Sequence, residues 1–160
     1  MTQTTAFLTA SIKRWNPDKQ CYNKEEEFLG INHNVTTNVL RDQLSDRLYT
    51  RTTNDGPRGA GFMALSTEGT TPVASDTTLA GESSASGLAR VESTTKTHTG
   101  GTNVTVVSHQ YTAGAAATIT KAAIFTASSA GNMYHAAMLP SNAVLAINDL
   151  LTVTFTITHA

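Results

Sequence analysis

The stretch Leu151-Thr152-Val153-Thr154-Phe155-Thr156-Ile157-Thr158 decides the fold class of this chain, because apolar side chains alternate strictly with threonines along it. Successive side chains of a β-strand point to opposite faces of a sheet, so the pattern separates an apolar face from a face of hydroxyl groups. β-Branched and aromatic residues suit such half-buried strands. The stretch therefore predicts a strand that covers a hydrophobic core and presents threonines on its other side.

The threonine side of this strand has two compatible interpretations. Thr154 and Thr156 either face water, or belong to a charge-free patch that contacts another subunit. The distribution of charge bears on the choice, since the Asp, Glu, Lys and Arg residues between Ser93 and Ala160 are limited to Lys96, Lys121 and Asp149. Depletion of charge is typical of the core of a protein interface, and also of a β-sheet surface rich in small residues.

Further strands precede this one at regular intervals. They are predicted at residues 62–65, 88–94, 103–111, 118–126 and 133–139, ahead of the closing strand at 150–158, and are separated by segments rich in Gly, Ser, Pro and Asn. Short strands at such spacing are typical of antiparallel β-sandwiches and barrels. The fold class predicted is therefore mainly β, as an antiparallel β-sandwich or barrel of jelly-roll-like type. The segment 66–87 is predicted to be a long loop, which in a compact domain is often functional.

The first part of the chain shows less periodicity. Residues 1–33 are predicted to form an irregular N-terminal arm, with one helical turn at 24–29, and residues 34–160 a single β-rich domain. Leu40, Leu44 and Leu48 recur at helical spacing and predict one amphipathic helix at about 37–49. This helix is expected to pack on a sheet.

Length and composition exclude several classes of protein. A chain of 160 residues can bury a real core, and its single Cys21 cannot form an internal disulfide, which suits a reducing cytoplasm. The net charge of −1 argues against nucleic acid as a partner. No apolar run approaches the length of a membrane span, and no basic residue precedes the first apolar stretch, as a signal peptide requires.

No motif predicts a catalytic, cofactor or metal site. The histidines, which are His33, His98, His109, His135 and His159, lack the spacing of metal ligands. Asp76, Glu82 and His98 are the possible enzymatic groups, but none of them lies in a catalytic sequence motif. Asp76 is expected instead to accept a backbone hydrogen bond in a turn or cap. The chain is therefore predicted not to be an enzyme.

Several segments resemble small β-rich structural proteins of tailed bacteriophage particles. The segments are, in order, 69–79 (GTTPVASDTTL) followed by Glu82 and Arg90, then 122–127 (AAIFTA), 131–134 (GNMY) and 150–157 (LLTVTFTI). The resemblance covers about residues 60–160. Lys121-Ala122-Ala123 stands where the similar proteins often carry Glu-Ala-Gly.

The resemblance implies a non-enzymatic structural protein of the virion, assembled in the host cytoplasm. A capsid decoration (cement) protein that stabilises the head shell is the expectation, with a tail, neck or fibre component as the alternative. The partners implied are the major capsid protein or other virion proteins, together with further copies of this chain. A carbohydrate-binding attachment module is the alternative from another class, although such modules usually need aromatic platforms.

Three groups of residues are candidates for contact with a partner. They are Phe7, Leu8 and Trp15 in the N-terminal segment; Thr70, Pro72, Asp76 and Leu79 in the loop; and Thr154 and Thr156 in the closing strand. Trp15 is the only tryptophan, and tryptophan is favoured at interface centres. It either inserts into a neighbour or covers the core of its own chain.

Overall fold

The computed structural model describes residues 5–33, 35–37, 61–84, 86–98 and 104–158 of the chain. The strands in chain order are β1 (Thr5–Lys13), β2 (Trp15–Asn16), β3 (Cys21–Tyr22), β4 (Glu27–His33), β5 (Val35–Thr36), β6 (Phe62–Ser66), β7 (Val91–Glu92), β8 (Thr95–His98), β9 (Val104–Thr112), β10 (Ala117–Phe125), β11 (Met133–Leu145) and β12 (Leu150–Thr158). The described residues are thus mainly β, and they contain no helix.

The strands form three antiparallel sheets. A five-stranded sheet has the order β4-β1-β12-β9-β8 and is called the terminal sheet here, because it contains the first and last strands. A second five-stranded sheet, the covered sheet, has the order β5-β11-β10-β6-β7. Strands β2 and β3 form a small hairpin of their own. The prediction of an antiparallel, mainly β fold is confirmed.

Strand β12 lies at the centre of the terminal sheet and has the alternating burial that its sequence predicts. Leu151, Val153, Phe155 and Ile157 are buried, while the threonines between them are half-buried. All nine residues of β12 pair with β1 on one side and with β9 on the other, without a register shift. The pleat of this strand therefore sets the inner and outer faces of its neighbours.

The two large sheets share one hydrophobic core. The terminal sheet contributes Leu8, Ala10, Ile12, Val107, Tyr111, Leu151, Val153, Phe155 and Ile157. The covered sheet contributes Met63, Leu65, Ile119, Ala122, Ile124, Ala137, Leu139, Ala143 and Leu145. The Tyr111 hydroxyl donates a hydrogen bond of 2.9 Å to the Met63 carbonyl across this core. A buried hydroxyl needs such a partner, so the bond also constrains how the sheets align.

The covered sheet is buried on its second face as well. Ala64, Ala123, Phe125, Met133 and Ala136 form a smaller cluster there, closed by Leu79 of the loop between β6 and β7. The segment 67–82 is called the strap, since it lies across this outer face. Burial on both faces explains why β10 is apolar or buried at nearly every position rather than alternating.

The prediction of an irregular N-terminal arm is wrong. Strand β1 is paired along its whole length with β12 and from Phe7 to Ile12 with β4, and Leu8, Ala10 and Ile12 are buried in the shared core. The helical turn predicted at 24–29 is also wrong, since β4 begins within it at Glu27. The small polar residues Thr9 and Ser11 hide the alternation of β1 in the sequence, because they occupy its outer face.

Strand β11 continues through Pro140, where the sequence predicts a break. The register shifts between Ile119 and Lys121 of β10, so Thr120 faces the extra residues 139–142 of β11. Proline is tolerated at such a bulge because its missing N–H removes no ladder bond. Gly30 of β4 packs here with φ of +116°, and a Cβ on it would lie 2.9 Å from the Cβ of Pro140.

Two further predictions concern local structure. The predicted strand at 88–94 is reduced to β7 at Val91–Glu92, and β8 follows at Thr95–His98. The helix predicted at about 37–49 lies outside the described residues apart from Thr37, whose hydroxyl donates a 2.7 Å hydrogen bond to the Met133 carbonyl. No residue that the structure describes in this region is helical.

Truncating Leu8 to alanine tests whether β1 belongs to the core. Leu8 has no exposed surface, so Leu8→Ala should lower the free energy of unfolding by about 2–5 kcal/mol in urea denaturation. Ile147→Ala is the matched control, because Ile147 is 59% exposed and its truncation should cost little. Equal stability of Leu8→Ala and the wild type would contradict the docking of β1.

Candidate interaction surface

The outer face of the terminal sheet is the first candidate for contact with a partner, and is called the threonine face. Its members share the outward side of the pleat on five strands, as the cross-strand pairs place them. They are Phe28, Ile31 and His33 on β4; Phe7, Thr9 and Ser11 on β1; Thr152, Thr154 and Thr156 on β12; Val106, Ser108 and Gln110 on β9; and Thr95 and Thr97 on β8.

The hydroxyl groups in the middle of this face hold one another in place. The Ser108 and Thr154 hydroxyls lie 2.8 Å apart, and the Ser108 hydroxyl also donates to the Val153 carbonyl. Gln110 donates from its amide to the Thr152 hydroxyl at 3.0 Å. These contacts join β12 to β9, so the side chains in the middle of the face are held in place without a bound partner.

The edge of the threonine face formed by β4 is apolar. Phe28 and Ile31 are 62% and 63% exposed, which is unusual for large hydrophobic side chains. Beside them the rings of Phe7 and His33 lie 4.7 Å apart between centroids. Exposed apolar side chains that lie together are typical of a surface that binds another molecule.

Charged side chains lie at the margin of this face rather than within it. Lys13 stands at the end of β1, and Glu26 accepts a hydrogen bond from the Ser11 hydroxyl. Of the charges between residues 93 and 160, Lys121 and Asp149 are buried, which leaves Lys96 as the exposed charge in that part of the chain. The folded C-terminal half therefore presents a surface with almost no charge.

The strap, the second candidate, is tied to the sheet by a buried cation. The Lys121 ammonium is 4% exposed and donates to Glu68 at 2.5 Å and to the Thr70 carbonyl at 3.0 Å. The hydrogen bond from Lys121, with help from Thr70, lowers the pKa of Glu68 to about 2. A buried ammonium needs such a counter-charge, because its desolvation is otherwise very costly.

The far end of the strap is anchored by an arginine. Arg90 forms a two-pronged contact with Glu82, with nitrogen–oxygen distances of 2.8 and 2.5 Å. Its guanidinium lies 3.5 Å from the centre of the Phe125 ring, and it also donates to the Ala130 carbonyl at 2.6 Å. Stacking and paired hydrogen bonds suit the planar guanidinium and would not be reproduced by lysine.

The candidate residues of the loop mostly make contacts within the strap or with its own sheet. Pro72 and Leu79 are buried, Thr70 is exposed, and the Asp76 carboxylate accepts a 2.9 Å bond from the Val73 N–H. The turn role predicted for Asp76 is confirmed by this bond. A cavity of about 550 Å³ lies between the strap and the sheet, with Lys121, Met133 and Ala136 at its base. The strap thus lies on its own sheet, and Thr70 is the candidate most open to a partner.

The three N-terminal candidates differ in accessibility. Leu8 is fully buried and is not available to a partner, whereas Phe7 is half-buried on the threonine face. Trp15 is half-buried in the β2–β3 hairpin, where its ring meets Tyr22 edge-on with centroids 5.0 Å apart. It belongs to neither hydrophobic cluster of the described residues.

Asp149 ties this hairpin to the rest of the protein. It accepts hydrogen bonds from the Trp15 N–H at 3.1 Å, the Arg14 guanidinium at 2.7 Å and the Ala146 N–H at 2.9 Å. Burial alone would raise the pKa of Asp149, but these three donors together hold that pKa below its usual value. A carboxylate with several donors favours its charged form.

Asp76 and Glu82, the acidic residues considered as possible enzymatic groups, each contact a local partner, as does Glu92. Asp76 closes a turn, Glu82 pairs with Arg90, and Glu92 pairs with Lys96.

Within the described part of the chain no three His, Cys, Asp or Glu side chains are grouped as a metal site would require. Nor does that part contain a helix long and apolar enough to cross a membrane. Cys21 is exposed and unpaired with another cysteine.

The sequence alone did not identify most of the threonine face. Phe28, Ile31 and His33 were not candidates, because Gly30 introduces a bulge that breaks the alternation of β4. Ser108 and Val106 were also missed, although the alternation of β9 could have placed them beside Thr154 and Thr156. Lys121 appeared as one of the few charges of the C-terminal half and as a departure from the resemblance, with nothing in the sequence to pair it with Glu68.

Comparison with known proteins identifies no relative for this chain. No family model matches it, and no match was found among curated proteins or solved structures.

The Lys121–Glu68 pair can be tested by removing each partner in turn. Glu68→Gln leaves a buried ammonium without its counter-charge, whereas Lys121→Met leaves a carboxylate that is 37% exposed and can be hydrated. Glu68→Gln should therefore lower the free energy of unfolding more than Lys121→Met, as measured by urea denaturation at neutral pH. The opposite order would show that the ammonium is not buried by the strap.

The same pair should contribute to acid sensitivity. The folded-state pKa of Glu68 lies near 2, below its ordinary 4.5, so its stabilising effect is present above about pH 4.5 and is lost as the pH falls toward 2. Asp149 acts in the same direction. Urea midpoints measured across this range should fall less steeply for Lys121→Met than for the wild type, and equal slopes would contradict the prediction.

Proposed function

We propose that this chain is a non-enzymatic structural protein of a bacteriophage particle, and that it acts as a decoration (cement) protein on the capsid. In this role it binds the outside of the head shell, next to the major capsid protein, and resists expansion or rupture of the shell. The proposal combines the resemblance of residues 60–160 with the surface of the folded protein.

The observation that carries this proposal is the charge-free threonine face. A protein that joins a lattice binds through broad, modest contacts that are multiplied by the number of copies. A face without charges suits this kind of contact, with the shell protein or with a further copy of the chain, because burying it leaves no ion without a partner. The burial of Lys121 and Asp149 within the protein, away from that face, supports the same role.

The finer fold assignment belongs to this proposal too. We infer that the terminal and covered sheets pack face to face as a β-sandwich, because one cluster of buried side chains includes both inner faces. The jelly-roll-like connection of the strands stays a prediction. A sandwich held by the Tyr111–Met63 bond and anchored by the strap suits a structural role.

A tail, neck or fibre component is the alternative within the same class. The same charge-free face serves packing around a tail as well as on a shell, so the two differ chiefly in number of copies. A carbohydrate-binding module is less well supported, since the residues around the strap cavity include no aromatic side chain on which a sugar ring could stack.

Quantitative mass spectrometry of purified particles tests the proposal. A decoration protein should be present in a number of copies close to that of the major capsid protein, because each shell subunit offers a site. A few to some tens of copies would indicate the tail or neck alternative instead. Complete absence from particles would overturn both structural roles, and binding of the isolated protein to a glycan array would then favour attachment.

A further inference from the structure

We propose that the threonine face is the contact surface between two copies of this chain, which pair face to face as a symmetric dimer. The proposal goes beyond the structural role given above by naming the first partner of this face. The proposal is based on the hydroxyl rows of β12 and β9, the exposed Phe28 and Ile31, and the absence of charge within the described face.

The electrostatics of the face favour a second copy as the occupant. In a symmetric dimer the same patch lies on both sides, so any excess of charge on it would meet its own sign. The described residues of the threonine face carry no Asp, Glu, Lys or Arg, and Lys13 and Glu26 stand at its margin. A partner with charges of its own would lose their hydration here without gaining a counter-charge.

The hydrogen-bonding groups of the face are also complementary to themselves. A threonine or serine hydroxyl both donates and accepts, so one hydroxyl row can bond to an identical row. Thr154 lies at the centre of this arrangement, on the middle strand, with Thr9 and Ser108 as its cross-strand neighbours. Because the Ser108 hydroxyl donates to the Val153 carbonyl, the Thr154 hydroxyl is the donor in its contact with Ser108 and can accept a hydrogen bond from a partner across the interface.

The size of the face matches a single stable interface. Strands β1, β12 and β9 have nine residues each, β4 has seven and β8 has four, so at about 4.8 Å between strands and about 3.3 Å per residue the face covers roughly 600 Å². A standard interface buries about 600–1,000 Å² on each partner, and the face lies at the lower end of this range. Pairing would also cover Phe28 and Ile31, which removes the largest apolar side chains of the terminal sheet from water.

Light scattering coupled to size-exclusion chromatography tests this pairing on the full chain. The wild type should have twice the mass of the 16.9 kDa chain. Thr154→Lys/Thr156→Lys places ammonium groups at the centre of the face and should give a monomer with an unchanged circular dichroism spectrum. Thr71→Lys/Thr77→Lys is the matched control, since these threonines are exposed on the strap and the added charge is the same.

A second variant covers the case in which the double lysine variant fails to fold. Ile31→Lys changes a side chain that is already 63% exposed, so it should fold normally and raise the dimer dissociation constant by at least about tenfold. A monomeric wild type at its highest soluble concentration would overturn the proposal. So would dimers that persist in both variants of the face.

The outcomes separate this proposal from the proposed function. A dimer that is absent from particles would overturn the virion role and leave the pairing intact. A monomer that binds purified shells through Thr154 and Thr156 would overturn the pairing, and would assign the face to the shell protein instead.

Discussion

The rest of the structure depends on the pairing of β12 with strands on both sides. Because β12 alternates strictly and is bonded along its whole length to β1 and β9, its pleat decides which side chains of three strands face the core. A shift of one residue would turn all of those side chains to the wrong side. The shared core, the burial of the N-terminal strand and the composition of the outer face all follow from this one register.

The covered sheet has a second apolar face that must be shielded from water. Its strands are apolar on both sides, so its outer face needs a cover, and the strap supplies one. The strap has no strand of its own beyond the Ser66–Glu82 bridge, so side-chain contacts hold it. Lys121 with Glu68 near one end and Arg90 with Glu82 near the other provide those contacts, and both cations are withdrawn from the surface.

The pairing of β12 and the attachment of the strap together determine which charges remain on the surface of the protein. Charges of the C-terminal half are used inside the fold, at Lys121 and Asp149, where they tie the strap and the N-terminal hairpin to the sheets. The threonine face is left without charge on its described strands as a consequence. A protein with one broad neutral face is suited to packing against like surfaces, which is the physical basis of the proposed structural role.

The sequence by itself determined the structural features that depend on local patterns of residues. It indicated the antiparallel β class, the alternation of β12, most later strands and the turn at Asp76, because each follows from side chains a few residues apart. Tertiary structure alone decided which distant segments meet. It placed β1 beside β12, joined Lys121 to Glu68, carried β11 through Pro140 by a bulge, and brought Phe28 and Ile31 to the threonine face. Such contacts depend on pairing between remote strands, which the pattern of any one strand does not contain.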